Sequence, residues 1–168
     1  MASNAKNVKK EIELYEPMRK WLQQYLEDKY KNGEIITVDS HARTLDVFLE
    51  EYGVIDNYPQ TIGLDIQIDV LGIVKKNGKS QIFFIEAKKT QLNLHDLGQL
   101  WAYCKLCDPI EAFLLSSAGL GSLNKILNNL HRMDLLEFGD GKKIKKMQVG
   151  KWNTNNDSLD YHSLVPKM

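Results

Sequence analysis

Hydrophobic and polar positions follow a helical period in some parts of the chain and a strand-like alternation in others. Apolar side chains recur near 3.6-residue spacing over residues 8–30, where Pro17 marks a bend or a first turn. Capping and terminating residues predict further helices at 45–52, from Asn93 or His95 to Cys107, and at 121–132 with Ser122 as the cap. Short apolar runs predict strands at 34–39, at 111–117 and in a hairpin that pairs 135–138 with 144–149.

Two segments rich in Ile, Val and Phe, residues 64–74 and 81–88, flank the dipeptide Asn77-Gly78. This dipeptide closes two-residue type I′ turns, so the stretch predicts a β-hairpin. With Asn77 and Gly78 as the loop residues, Lys76 pairs with Lys79, and every other pair follows by counting outward. The turn therefore predicts the register of the whole hairpin.

This register gives both faces of the hairpin apolar side chains. One face carries Leu71 opposite Phe84 and Ile73 opposite Ile82, and the other carries Val70 opposite Ile85 and Gly72 opposite Phe83. A strand pair that is apolar on both faces is covered on both sides. The strand at 111–117 follows through a helix, so a right-handed parallel crossover is expected. The predicted fold class is α/β, with a central mixed sheet between helices.

Composition is that of one globular domain. The chain has 168 residues, of which 43% are apolar and 26% charged, which predicts a single domain over 1–168. Its core is predicted over about 8–150, and residues 1–7 are predicted to be a disordered leader. No apolar run is long enough to span a bilayer and no secretory signal is present, so we expect no membrane association and a cytoplasmic location.

Charge is balanced over the chain but unevenly distributed. The net charge is zero, yet five lysines cluster near the second predicted hairpin: Lys142, Lys143, Lys145, Lys146 and Lys151. Such a cluster is consistent with a solvated hairpin face or with a DNA-binding stripe, since contact with phosphates needs only a local excess of positive charge.

The hairpin register also places Asp69 directly opposite Glu86, with Lys88 two residues further along the same face. Like charges at opposite positions of a strand pair repel each other. A divalent cation bound between the two carboxylates would turn this repulsion into chelation. The alternative is an ordinary exposed ion pair of Glu86 and Lys88, which leaves the position of Asp69 unexplained.

These residues resemble the PD-(D/E)xK nuclease superfamily, whose restriction-endonuclease-like fold has a three-layer core with a mixed sheet flanked by helices. Asp69 matches the first acid and Glu86-Ala87-Lys88 the second half of the motif, although Ile68 stands where the family has proline. Gln99 and Tyr103 fit the QxxxY element of its RecB-like branch. The resemblance covers about residues 60–118.

The resemblance implies a metal-dependent deoxyribonuclease of the restriction or the repair and recombination type. Asp69, Glu86, the carbonyl of Ala87 and an N-terminal acid, Glu16, are expected to hold Mg²⁺, for which Mn²⁺ can substitute. Lys88 is expected to position the attacking water. DNA and a second copy of the chain are the expected partners, with no small-molecule cofactor.

Several alternatives remain open within this hypothesis. Glu11 and Glu13 compete with Glu16 as the N-terminal acid, and Glu16 also fits a helix-dipole role. Gln99 and Tyr103, which are expected to orient the lysine or contact the scissile strand, also fit a polar-aromatic pair packed against the sheet. A catalytically inactive DNA-binding or assembly module with the same fold is the alternative function.

Other ligand chemistries are weakly represented. Cys104 and Cys107 form a single CxxC pair, and a structural zinc site needs four ligands, so two buried thiols are expected. The histidines show no metal-binding spacing. Gly119-Leu120-Gly121 precedes a helix but lacks the rest of a phosphate-binding loop.

Overall fold

A mixed six-stranded sheet forms the centre of the fold. The computed structural model describes residues 8–139, 141 and 143–168, so the predicted leader at 1–7 lies outside the described residues. The helices are α1 (Ile12–Lys29), α2 (Leu45–Glu51), α3 (Leu94–Cys107) and α4 (Ser122–Asn124). The strands are β1 (Glu34–Asp39), β2 (Val70–Lys76), β3 (Lys79–Lys88), β4 (Glu111–Ser116), β5 (Glu137–Phe138), β6 (Lys145–Lys146), β7 (Gln148–Asn153) and β8 (Ser158–Val165).

The strand order is β1-β2-β3-β4-β7-β8. β3 and β4 are parallel, as are β4 and β7, whereas the other neighbours are antiparallel. The parallel crossover through α3 is therefore confirmed, and so is the α/β class. Because β1, β3, β4 and β7 all end on the same side of the sheet, the residues at their carboxyl ends form one edge.

The turn between β2 and β3 has the predicted type I′ character. Asn77 and Gly78 have φ values of 52° and 72°, as this turn requires. Lys76 pairs with Lys79, and the ladder continues to Val70 opposite Ile85. The predicted register is confirmed along the whole ladder.

The predicted strand over 64–74 is wrong at its start, because β2 begins only at Val70. Two carbonyl groups that precede β2 accept hydrogen bonds from residues outside β3. The Ile66 carbonyl accepts one from the Leu45 N–H at 2.7 Å, and the Ile68 carbonyl accepts one from the Ser40 hydroxyl. Asp65 adopts a left-handed φ of 54°. The segment thus connects α2 to the sheet instead of extending it.

Helices cover both faces of the sheet, as the hairpin pattern predicts. α1 buries Leu14, Met18, Leu22 and Leu26 on the face that carries Val70, Phe83 and Ile85. α3 buries Leu97, Leu100 and Cys104 on the face that carries Leu71, Ile82 and Phe84. Burial of these apolar side chains is the main stabilising contribution.

The predicted core ends near residue 150, whereas the observed core continues through β7 and β8. Trp152, Leu159 and Leu164 are buried against the α1 face of the sheet. The sequence pattern did not predict this part of the core, because apolar and polar residues alternate irregularly in β8. The pairing of β8 with β7 also shifts register between Val149 and Lys151. Two additional strands therefore complete the sheet.

The region between β4 and β7 differs from its prediction. In place of one helix over 121–132, α4 has three residues and continues as a π-helical turn over Lys125–Asn129. Ser122 is its first helical residue, so the predicted cap is wrong. β5 and β6 pair as a hairpin of two residues per strand, and Lys142 lies outside the described residues.

Two further expectations concern cysteines and membranes. Cys104 and Cys107 are buried free thiols, as predicted. Burial raises the pKa of the Cys107 thiol to about 12. Across the described ranges, no helix has both the length and the apolar character needed to cross a bilayer.

Candidate active site

Asp69 and Glu86 lie together at the edge of the sheet formed by the carboxyl ends of β1, β3, β4 and β7. Asp69 immediately precedes β2, and Glu86 is two residues from the end of β3. The Asp69 N–H donates to Glu86 Oε1 at 3.3 Å, and the Ala87 N–H donates to Asp69 Oδ2 at 2.9 Å. Each carboxylate therefore accepts a backbone N–H from the opposite strand, which holds both side chains in place.

Burial of this carboxylate pair disfavours its fully ionised form. Glu86 is only 7% exposed. Its burial, followed by the negative charge of Asp69, raises the pKa of Glu86 well above its usual range. Burial also raises the pKa of Asp69, although the N–H of Ala87 opposes this shift. Without a cation, the pair therefore retains a proton more readily than exposed carboxyl groups do.

Lys88 lies beside the pair but points partly toward α3. Its ammonium group is 3.9 Å from Asp96 Oδ1, and its positive charge acts on both Asp69 and Glu86. Asp96 is held by a capping box at the start of α3, in which Asn93 and Asp96 exchange backbone-to-side-chain hydrogen bonds. The charge of the lysine thus acts on the carboxylate pair while its ammonium group lies near a third carboxylate on α3.

Tyr15 on α1 contributes a contact that the sequence analysis did not predict. Burial, followed by the negative charge of the nearby Asp69, raises the pKa of the Tyr15 hydroxyl. The Tyr15 ring lies 4.8 Å from the ring of His41, measured between centroids. His41 Nδ1 in turn is 2.5 Å from Asp39 Oδ1, at the end of β1. A connected set of polar side chains therefore runs from Asp39 to the carboxylate pair.

The structure does not bring Glu16 to the carboxylate pair. Its carboxylate accepts two hydrogen bonds from Arg19, at 2.7 and 2.8 Å, and its side chain is 54% exposed. Glu11, one helical turn before Tyr15, is the N-terminal acid whose charge acts on Asp69. A helix presents residues four apart on the same face, so Glu11 shares the face of Tyr15 whereas Glu16 does not.

Gln99 and Tyr103 meet on α3 as their spacing predicts. The Gln99 amide donates to the Tyr103 hydroxyl at 3.3 Å. The α3 residue in contact with Lys88 is instead Asp96, which lies one turn before Gln99. Gln99 and Tyr103 therefore contact each other, and the first turn of α3 supplies the contact with the lysine.

The donors available for a metal ion are the two carboxylates and neighbouring backbone oxygens. Among the residues that the structure describes, no three His, Cys, Asp or Glu side chains come together as a metal-binding group. Mg²⁺ commonly binds through one or two carboxylates and keeps several waters. A buried, mutually repelling carboxylate pair fits such an ion, because the cation removes the repulsion that burial strengthens.

Sequence reasoning found the pair and the lysine but missed Tyr15, Asp96 and His41. Asp96 carries a usable signal, since Asn93-Leu94-His95-Asp96 has the spacing of a reciprocal helix cap. Tyr15 and His41 carry no comparable signal in the sequence. They reach the site only because α1 and β1 pack beside β2.

Comparisons with protein-family models, with curated proteins and with solved structures found no match to this chain. A fold class alone does not identify an activity. The functional assignment therefore depends on the chemistry of the site.

Proposed function

We propose that the chain is a Mg²⁺-dependent deoxyribonuclease with a restriction-endonuclease-like fold, which hydrolyses phosphodiester bonds of DNA. The observation that supports this proposal is the buried pair of Asp69 and Glu86, joined by reciprocal backbone hydrogen bonds, with Lys88 beside it. Repelling carboxylates impose a free-energy cost on folding that a bound cation removes. The proposal includes a homodimer for double-strand cleavage and a cytoplasmic location.

Asp69, Glu86 and the Ala87 carbonyl would hold the Mg²⁺ ion, for which Mn²⁺ can substitute. A bound Mg²⁺ would supply Lewis-acid activation of water and charge neutralisation at the phosphate. The Ala87 N–H would orient the Asp69 carboxylate, and the Tyr15 hydroxyl would be its polar neighbour on α1. Lys88 would turn from Asp96 toward the substrate, where its ammonium group positions water and offsets negative charge.

A catalytically inactive DNA-binding or assembly module is the second candidate. The observation that favours it is the ion-pair distance of 3.9 Å between Lys88 and Asp96, which gives the lysine a partner on α3. In such a module Asp96 would hold Lys88 permanently, and the pair would have only a structural role.

The decisive experiment is a Lys88→Ala variant assayed with plasmid, single-stranded and branched DNA in Mg²⁺. We expect the variant to lose cleavage by about 100-fold or more while keeping Mg²⁺-dependent DNA binding. Lys79→Ala is the matched control, because Lys79 is the first residue of the same strand. Undiminished cleavage by the Lys88 variant, or no cleavage by the unaltered chain, would contradict the proposal.

A further inference from the structure

A groove lined without acidic side chains lies next to the candidate active site. Its volume is about 630 Å³, and it runs between the loop after β3, the α4 region and β8. Its polar lining includes Gln91, Asn124, Asn128, Lys151, His162 and Lys167. None of the described residues that line it is Asp or Glu, although the chain has 22 acidic and 22 basic residues.

The lining of this groove differs from that of a larger groove on the same protein. A larger groove of about 850 Å³, which includes the first residue of β4, combines lysines with Asp28 and Glu111. Asp160 lies opposite Lys151 across the β7–β8 pair, but its carboxylate accepts the His162 N–H at 3.1 Å and is not part of the lining. The described lining of the first groove therefore combines positive charge and amide groups with no opposing carboxylate.

Strand register connects this groove to the proposed catalytic residues. Lys88 pairs with Ser116, and Ser116 pairs with Lys151. Residues directly opposite in a sheet share a face, and neighbouring strands lie about 4.8 Å apart. The backbones of Lys88 and Lys151 are therefore separated by two strand spacings, about 10 Å.

The loop after β3 also connects Lys88 with the groove, because Gln91 follows Lys88 closely in the chain. The Ser116 hydroxyl donates to the Thr90 carbonyl at 2.5 Å, and the Leu92 N–H donates to the Gly119 carbonyl at 3.2 Å. These bonds hold residues 90–92 alongside 116–119, so that Gln91 lines the groove.

We propose that the groove binds the sugar-phosphate backbone of the DNA strand that flanks the cleavage site. This inference rests on the proposed function. A span of about 10 Å along the axis of B-form DNA corresponds to about three phosphates of one strand. Lys151 and Lys167 contact phosphates, and the amides of Gln91, Asn124 and Asn128 donate hydrogen bonds to phosphate oxygens. Lysine and amide side chains commonly make such contacts, which position a strand without reading its sequence.

The test measures binding separately from cleavage. A fluorescent single-stranded oligonucleotide is titrated with the full chain carrying Lys88→Ala in Mg²⁺, and anisotropy is followed at several salt concentrations. Lys151→Gln and Lys167→Gln are each expected to weaken binding about fivefold at 0.1 M salt and to reduce the salt slope by about 0.7. Gln91→Glu, which introduces an acid with little change in shape, is expected to weaken binding about tenfold.

The matched controls are Lys76→Gln and Lys79→Gln, which remove the same charge at the β2–β3 turn. These controls are expected to leave binding within twofold. Equal weakening by groove and turn variants, or no weakening by the groove variants, would overturn the inference, as would failure of the starting protein to bind DNA.

A cleavage assay of the unaltered chain separates the two proposals. If the groove variants weaken binding as expected but the unaltered chain does not cleave, the groove inference stands and the nuclease assignment fails. If the chain cleaves DNA and the groove variants bind normally, the nuclease assignment stands and the groove inference fails.

Discussion

Asp69 and Glu86 lie one residue beyond the last paired position of the β2–β3 ladder, and each carboxylate accepts a backbone N–H from the other's strand. The two hydrogen bonds, at 3.3 Å to Glu86 and 2.9 Å to Asp69, replace the regular ladder at this point. The sheet thereby holds two acids together that would otherwise separate. Their proximity lowers the free energy of unfolding of the metal-free protein.

Glu86→Gln is expected to stabilise the metal-free protein at neutral pH. The substitution removes a buried negative charge beside Asp69, yet the amide oxygen can still accept the Asp69 N–H. A gain of about 1 kcal/mol in the free energy of unfolding corresponds to an increase of roughly 2–4 °C in Tm. Thermal unfolding in EDTA measures this gain.

The same variant is expected to lose the increase in Tm that Mg²⁺ gives the unaltered chain, because a ligand stabilises only the state that binds it. Glu50→Gln, on an exposed position of α2, is the control and should leave both measurements unchanged. A Glu86→Gln variant with unchanged stability and an undiminished Mg²⁺ response would argue against a metal site at the pair.

The pKa of Glu86 gives the metal-free protein a defined pH dependence. Because the folded pKa is raised above the ordinary value of 4.5, the folded state retains a proton that the unfolded state has lost. The free energy of unfolding therefore falls as pH rises from about 4.5 through the raised pKa. Denaturant titrations over this range measure the slope, which Glu86→Gln should flatten.

Mg²⁺ affinity is expected to rise with pH over the same range, because the ion competes with the retained proton. Calorimetric titrations in two buffers with different protonation enthalpies would detect the release of up to one proton per bound ion. Identical heats in the two buffers at mildly acidic pH would show that no proton is displaced.

Tyr15→Phe is expected to weaken Mg²⁺ binding or cleavage about tenfold. The variant keeps the ring that packs near His41 but removes the hydroxyl that lies near Asp69, so the carboxylate loses a polar neighbour. Tyr25→Phe is a matched control, since its hydroxyl bonds to Glu111 at the start of β4. Equal effects of the two variants on Mg²⁺ binding would indicate general destabilisation.

Gly72→Ala is expected to destabilise the fold by about 1–3 kcal/mol. A Cβ atom at Gly72 would lie 2.9 Å from Leu26 Cδ1 and 3.0 Å from Leu22 Cδ2, so these buried leucine side chains of α1 would have to shift. Gly98→Ala is the matched control, because its Cβ meets nothing within 4 Å and alanine stabilises a helix interior by about 0.5–1 kcal/mol. Chemical denaturation should therefore give opposite signs for the two variants.

Local patterns predicted the elements whose residues carry strong short-range preferences. Asn77-Gly78 determines its turn through the positive φ values that it tolerates, and the pairing from Val70 to Lys76 follows from that turn. The hydrophobic pattern did not predict β8, which pairs irregularly with β7, or the short length of α4. In these segments tertiary contacts outweigh weak local preferences.

For the site, the sequence by itself determined that Asp69, Glu86 and Lys88 lie on one face, since an alternating side-chain pattern and a two-residue turn leave no other register. Only the tertiary structure decided which other elements reach them. Tyr15 comes near Asp69 because α1 packs across β2, and Asp96 approaches Lys88 because α3 begins at the opposite face. Such contacts depend on how distant elements pack through their buried side chains, and no local spacing encodes that packing.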